Sequence, residues 1–294
     1  MAADGRLDAR AAGLAVLAMA ILGGSYTAGK VALQDFPVFG LLLLRMLVTT
    51  ATLGAYALWA RVPLTHGSRA MGFILAQTAF FLLTQVLLFI GLTMTSAGRA
   101  AILFNMQPFF TLMLLPLLVP AERLTSRRWL GTAVAFVGVA LVLGERGTGG
   151  GSLLGDALCL VAALGWTGNV ILNKTMPQHV NSATMIFWNA AASIPVMWLL
   201  TVVLEPRAAW HFSASAIGSI LYLGVVAAGL GFVLIVWLTR TYSASRVNVF
   251  VFLSPVFGVL IGWALLGESI SALQALGALA VAFGILIVSA EAGA

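Results

Sequence analysis

Apolar residues run along this chain in long, almost uninterrupted windows. They show neither the alternation of a half-buried strand nor the one-sided stripe of a helix on a water-soluble protein. Ten windows can be drawn, at about 11–32, 37–59, 70–91, 98–119, 129–144, 153–172, 182–203, 214–237, 245–266 and 271–289. Most hold about 18 to 23 residues, the length at which an α-helix crosses a hydrocarbon core. The loops between them are brief, which leaves no room for a soluble domain. The pattern predicts an all-α membrane protein of ten transmembrane helices, the fifth being the shortest.

The windows also repeat. Ser96-Ala97-Gly98-Arg99, Pro108, Glu122 and Gly131 return 146 to 147 residues later as Ser243-Ala244-Ser245-Arg246, Pro255, Glu268 and Gly277. Gly138 and Gly284 extend the match. The run from Gly144 to Ser152 is the most glycine-rich part of the chain and lies at its midpoint. It divides the chain into a first repeat at 1–144, a linker at 145–152 and a second repeat at 153–294. Five spans per half is an odd number, so the second half must enter the membrane from the opposite face. The repeats are therefore expected to be inverted, and two matched halves suit a carrier that opens a central site alternately to each side.

Composition adds an orientation. The chain is 61% hydrophobic and only 8% charged, with a formal charge of +6. Ten spans place both termini on one side. With that side cytoplasmic, the inner face receives Arg6, Arg10, Arg61, Arg69, Arg123, Arg127, Arg128, Lys174, Arg240 and Arg246. The outer face receives Arg99, Arg146 and Arg207, with Lys30 close to it. This bias follows the positive-inside rule. The basic residues never gather into one patch interleaved with aromatics, so no nucleic-acid partner is expected. The charged leader Met1 to Arg10 precedes a span too long for a signal-peptide core, and is expected to be retained. Cys159 is the sole cysteine, which excludes an intramolecular disulfide and a cysteine-rich metal site.

Charged and polar residues inside the windows are the candidates for chemistry, because hydrocarbon offers them no partners. Arg45 lies about eight residues into the second window, roughly 12 Å below the outer surface at 1.5 Å per residue. It either binds a substrate carboxylate or ties spans one and two together through backbone carbonyls or Asp35. Lys30 is near enough to the edge to snorkel. Arg99 and Arg246 open the fourth and ninth windows, where they would hold loop carbonyls or lipid head groups.

Gln77, Phe81 and Gln85 fall at i, i+4 and i+8 in the third window and form one stripe, with Thr78 beside it. Asn105 and Gln107 precede Pro108 in the fourth. Trp166 and Asn169 lie in the sixth, Trp188 and Asn189 in the seventh, Tyr222 in the eighth, and Asn248 in the ninth before Pro255. A cavity lined by amides and aromatics suits a neutral or zwitterionic small molecule. Each of these residues taken singly could equally make an interhelical hydrogen bond. Pro108 and Pro255 should bend the fourth and ninth helices at matched places, for gating or simply for shape. Gly131, Gly138, Gly277 and Gly284 permit close helix contact.

No Asp or Glu falls at the centre of a window: Asp35, Glu122, Glu145, Asp156, Glu205 and Glu268 are all near ends. A carboxylate proton relay or sodium site is therefore not visible. Downhill facilitation needs none, whereas proton antiport would require an unconventional site, so proton coupling stays open. His66, His179 and His211 fall in loops. No HExxH, P-loop or nucleophile elbow is present, so no enzyme, cofactor or metal is expected. The two repeats already supply pseudo-symmetry; a monomer suffices, and a dimer is not excluded.

Gly23-Gly24-Ser25-Tyr26, Pro37 and Arg45, then the run from Thr95 to Pro108 followed by Glu122-Arg123-Leu124, resemble the first half of an EamA-type protein. Ser243-Ala244-Ser245-Arg246, Ser254-Pro255, Gly267-Glu268-Ser269 and Gly277 resemble the second. The chain is thus similar along nearly its whole length to the drug/metabolite transporter superfamily. That resemblance implies two inverted five-helix repeats in the bacterial inner membrane and export of small metabolites. Within the superfamily the chain looks most like the aromatic and neutral amino-acid exporters, although Ser25-Tyr26 stands where a tryptophan is often found. The reading is a secondary transporter of neutral, including aromatic, amino acids across the inner membrane, with the small-molecule cargo and the bilayer as partners. The alternatives are an exporter of cationic drugs or other metabolites, and a channel or structural membrane protein.

Overall fold

Where hydrocarbon surrounds a chain, its backbone N–H and C=O groups must find partners within the chain, and a helix does this segment by segment. The computed structural model describes residues 9–65, 67–118, 125–144, 151–175, 181–242, 247 and 249–291. All regular structure among them is helical. In chain order the α-helices are α1 (Ala9–Ala32), α2 (Val38–Ala60), α3 (Ser68–Met94), α4 (Ala97–Phe104), α5 (Gln107–Leu118), α6 (Ser126–Gly144), α7 (Leu153–Thr175), α8 (Ser182–Leu204), α9 (Ala214–Leu221), α10 (Phe232–Thr241), α11 (Leu253–Leu266) and α12 (Ala272–Glu291). Six stretches are long and apolar enough to cross a membrane: α1, α2, α3, Leu153–Leu172, Ala183–Leu204 and Ala214–Ile235. Trp129–Gly144, Leu253–Leu266 and Ala272–Val288 are shorter apolar helices. Their outer faces carry side chains such as Leu58, Trp59 and Leu265, at 80%, 83% and 72% exposure. Apolar exposure on that scale suits contact with lipid.

Three apolar windows are interrupted. The fourth splits into α4 and α5 at Asn105-Met106. Pro108 has no N–H to give the carbonyl of Phe104, so the helix cannot run through, and the proline stands in the first turn of α5, where its missing donor is harmless. In the ninth, a 3₁₀ turn at Val249–Phe252 leads into α11, and Pro255 again stands in a first turn. The matched prolines therefore open helical segments instead of bending continuous helices. The eighth widens into a π-helical segment, Tyr222–Gly231, between α9 and α10.

The largest helix contacts are retained when the first five windows are exchanged with the last five. α6 lies on α12, α2 on α8, and α4 on α11, each a pair of corresponding elements. α3 against α7 is matched by α1 against the α9–π–α10 run, and α1 against α11 by α4 and α5 against α7. The α6–α12 contact shows the register. A Cβ on Gly131 would stand 2.8 Å from the Gly284 carbonyl oxygen, and one on Gly284 would stand 2.6 Å from that of Gly131. Gly138 and Gly277 stand in the same reciprocal relation at 2.7 Å each way. Two antiparallel helices thus touch backbone to backbone at two levels, which only glycine permits.

Acidic side chains close helix ends. The Glu205 carboxylate accepts from the Phe39 and Gly40 N–H groups, both at 3.0 Å, at the start of α2. Glu268 accepts from Ala97 at 2.7 Å and Gly98 at 3.1 Å at the start of α4. These are free donors at positive dipole ends, where a carboxylate is favoured.

Candidate functional site

The break between α4 and α5 opens onto a cavity of about 320 Å³. α1 contributes Met19, Leu22, Ser25 and Tyr26, and α3 contributes Gln85, Leu88, Phe89 and Leu92. Both sets recur every three or four residues, so each is one helical face. Arg45 enters from α2, Phe104, Asn105 and Gln107 from the break, Trp166 from α7 and Ile235 from α10. Val247, Val251 and Ser254 close the opposite side, at the 3₁₀ turn before Pro255. Phe104 and Gln107 stand 147 residues from Val251 and Ser254, the spacing of the repeat. The cavity therefore lies between the two corresponding interruptions.

Its walls divide by chemistry. Tyr26, Phe104 and Trp166 form an aromatic side: Phe104 meets Tyr26 edge-on at 6.3 Å and Trp166 at 6.2 Å. On the polar side, the Arg45 guanidinium stands over the Phe89 ring at 5.3 Å. Arg45 Nε, Gln85 Nε2 and Gln107 Oε1 are sealed from solvent with no hydrogen-bond partner. Two donors and one acceptor are thus left unmet around one cavity, and unmet buried polar atoms are what a ligand can satisfy. Asn105 is satisfied locally, its Nδ2 donating to the Ala101 carbonyl at 2.7 Å.

Leu92, on the cavity wall, also belongs to a polar lattice. Lys30 Nζ donates to the carbonyls of Leu92 at 2.6 Å and Thr95 at 2.7 Å. Thr95 Oγ1 donates to Asp156 Oδ1 at 2.7 Å, and the Arg99 guanidinium pairs with the same carboxylate. Arg99 and Asp156 are both buried, at 2% and 1% exposure. The lattice joins α1, α3, α4 and α7.

Of the polar and aromatic residues singled out inside the windows, Arg45, Gln85, Asn105, Gln107 and Trp166 line the cavity. Gln77, Phe81, Asn169, Trp188, Asn189 and Tyr222 do not. Gln77 Nε2 donates to Asn169 Oδ1 at 2.9 Å, fastening α3 to α7. Thr78 Oγ1 donates to Asn189 Oδ1 at 3.0 Å, fastening α3 to α8. Trp188 Nε1 donates to the Leu64 carbonyl at 2.7 Å. Phe81 is half-buried one turn before Gln85. Tyr222 donates to the Ile21 carbonyl at 2.8 Å and lines a separate apolar groove between α1, α9 and α11. Arg99 holds Asp156, while Pro108 and Pro255 each follow a lining residue, Gln107 and Ser254. Arg246 lies outside the described residues, as do Glu122 and Asn248. Phe89, Phe104 and Val251 line the cavity without having been singled out. Phe89 could have been found one turn beyond Gln85 on its stripe, and Phe104 beside Asn105. Among the described residues no group of His, Cys, Asp and Glu could hold a metal ion.

The model of the EamA-like transporter family matches this chain twice, at residues 9–144 and 153–290. The chain belongs to the EamA-like transporter family. It is similar to a protein of Salmonella typhimurium named "Probable amino-acid metabolite efflux pump", 32% identical over 286 residues, 93% of each chain. A protein of the same name from Escherichia coli K12 is 30% identical over 289 residues, again 93% of each. A crystal structure superposes on this transporter with a TM-score of 0.70 at 17% identity, covering 98% of this chain and 99% of that one. At that identity the likeness concerns the fold.

Proposed function

We propose that this transporter exports neutral amino acids, aromatic ones included, by alternating access around the cavity between the two interruptions. Its ten spans form two inverted five-helix repeats in a bacterial inner membrane with both termini cytoplasmic. The matched main helix contacts and the doubled family match support the paired repeats, and the positive-inside bias expected from the sequence suits this orientation. The names of the two relatives supply the cargo class.

One observation carries the reading: Arg45, Gln85 and Gln107, each with a buried polar atom that has no partner, line one small cavity together with Tyr26, Phe104 and Trp166. Arg45 and Gln85 Nε2 are donors for a carboxylate. Gln107 Oε1 is an acceptor for an ammonium. Tyr26, Phe104 and Trp166 would receive the side chain. A volume of about 320 Å³ lies at the small end of the range of ligand pockets. A cationic drug would meet Arg45 where it needs an acid, and no acidic residue lines the cavity, so the amine-efflux reading is disfavoured.

The test is uptake of labelled phenylalanine, threonine and methionine into liposomes holding the purified protein, with unlabelled competitors and with and without a pH gradient. Saturable, competed uptake is expected, and its response to the gradient reports whether protons are coupled. Flat traces for all three from correctly inserted protein would overturn the assignment.

A further inference from the structure

Arg45 keeps its positive charge under all working conditions. Among the described residues no acidic side chain pairs with it, and its Nε has no acceptor. The other cations of this region are compensated: Arg99 has Asp156, and Lys30 has two carbonyls. The Phe89 face at 5.3 Å offers Arg45 only a cation–π contact, much weaker than a carboxylate. Its charge must therefore be balanced by water or by cargo.

This requirement bears on the transport cycle. While the cavity is open to one side, water can enter and solvate the guanidinium. To change orientation the cavity must close and shed water, as any alternating-access site does. An empty closed cavity strands Arg45 in a low dielectric together with the unmet atoms of Gln85 and Gln107. A closed cavity holding a zwitterion does not, because the carboxylate balances the guanidinium and the amides gain partners. Cargo thus lowers the barrier to reorientation selectively, through interactions strongest in the closed state.

We infer that this protein is an exchanger. Its loaded form reorients much faster than its empty form, so the exit of one amino acid is coupled to the entry of another small molecule bearing a carboxylate. The inference rests on the amino-acid reading above and adds the mode of coupling. It also gives Arg45 a role beyond affinity, since the same charge that recognises the cargo resists the empty return.

The experiment is a comparison of initial rates in liposomes holding the full chain, with the membrane potential clamped by potassium and valinomycin. Labelled phenylalanine is supplied outside, and the interior is empty, loaded with unlabelled phenylalanine, or loaded with phenethylamine, which lacks the carboxylate. Loading with phenylalanine should raise the rate about tenfold or more, a modest differential on a barrier of this kind. Phenethylamine should give no such stimulation. Arg45→Gln should bring the loaded-to-empty ratio close to one at weaker affinity, and Arg45→Lys, which keeps the charge, should preserve it. Equal rates into loaded and empty wild-type liposomes, with uptake saturable and competed, would overturn exchange while leaving the amino-acid reading intact. Stimulation by phenethylamine equal to that by phenylalanine would overturn the role of the carboxylate. Failure of every amino acid to enter under any loading would overturn the cargo assignment, and the inference with it.

Discussion

Gly138 on α6 and Gly277 on α12 touch through their backbones, a Cβ on either standing 2.7 Å from the other's carbonyl oxygen. Gly131 and Gly284 repeat the contact two turns away. Gly138 and Gly277 belong to the two repeats, in which Gly277 is the counterpart of Gly131 and Gly284 that of Gly138, so each glycine meets the counterpart of the glycine seven residues away on its own helix.

A side chain at this crossing must push the helices apart. Gly138→Val should destabilise the protein by about 1–3 kcal/mol, the usual range for overpacking a well-packed contact. Thermal unfolding in detergent measures this. An unchanged midpoint would mean that α6 and α12 do not meet in this register.

The Arg99–Asp156 pair is buried on both sides. Asp156→Asn removes the carboxylate paired with the buried Arg99 guanidinium and should cost about 3–5 kcal/mol, as breaking such pairs does. Removing both charges in Arg99→Met/Asp156→Leu should cost less than the single change, because no charge is then stranded. Chemical denaturation of the three proteins checks the order. A double variant less stable than Asp156→Asn would show that the pair itself, and not an uncompensated charge, governs stability here.

Gln77 and Gln85 share one stripe of α3 but meet different surroundings. Gln77 Nε2 is bonded to Asn169, with its Oε1 left unmet away from the cavity, whereas Gln85 lines the cavity and its Nε2 has no partner. Gln77→Leu should therefore lower stability by about 0.5–1.5 kcal/mol and leave the KM for amino-acid uptake nearly unchanged. Gln85→Leu should raise KM and leave the unfolding midpoint near the wild-type value. The reverse pattern would exchange the roles of the two residues.

Trp166 bears on side-chain preference. Trp166→Ala removes one ring of the aromatic wall, whose burial against an apolar group is worth about 1.5–3 kcal/mol. KM for phenylalanine should rise about tenfold or more, and KM for threonine much less. Parallel uptake assays measure both, and an equal rise for the two would place Trp166 outside the side-chain pocket.

These contrasts show how far the sequence could be read. The apolar windows were legible as helices, six of them long and apolar enough to cross a membrane, because a bilayer demands about 20 apolar residues in succession, a constraint that acts on each segment alone. The glycine contacts were legible as a spacing, 131/138 and 277/284, although the pairing of 131 with 284 needed the structure. The prolines marked matched interruptions, but whether each would bend a helix or begin one depended on neighbours: Asn105 ends α4 by turning its own side chain back to Ala101. The candidate site was the least legible part. A mid-span glutamine must be satisfied by something, and sequence cannot say whether that is another helix or a cavity. Gln77 finds Asn169 because α3 packs along α7, and two turns later Gln85 finds the space left by the α4–α5 break. Phe89 and Phe104 carry no polar signal of their own, and only their places beside Gln85 and Asn105 set them apart among 17 phenylalanines.

The most direct measurement is a crystal structure of the protein with 4-bromophenylalanine, locating bromine by its anomalous signal. The expected peak lies against Tyr26, Phe104 and Trp166, with the carboxylate toward Arg45 and Gln85. A peak in the apolar groove beside Tyr222 and Trp263, with the central cavity empty of ligand, would contradict the assignment of this cavity as the place where cargo is held.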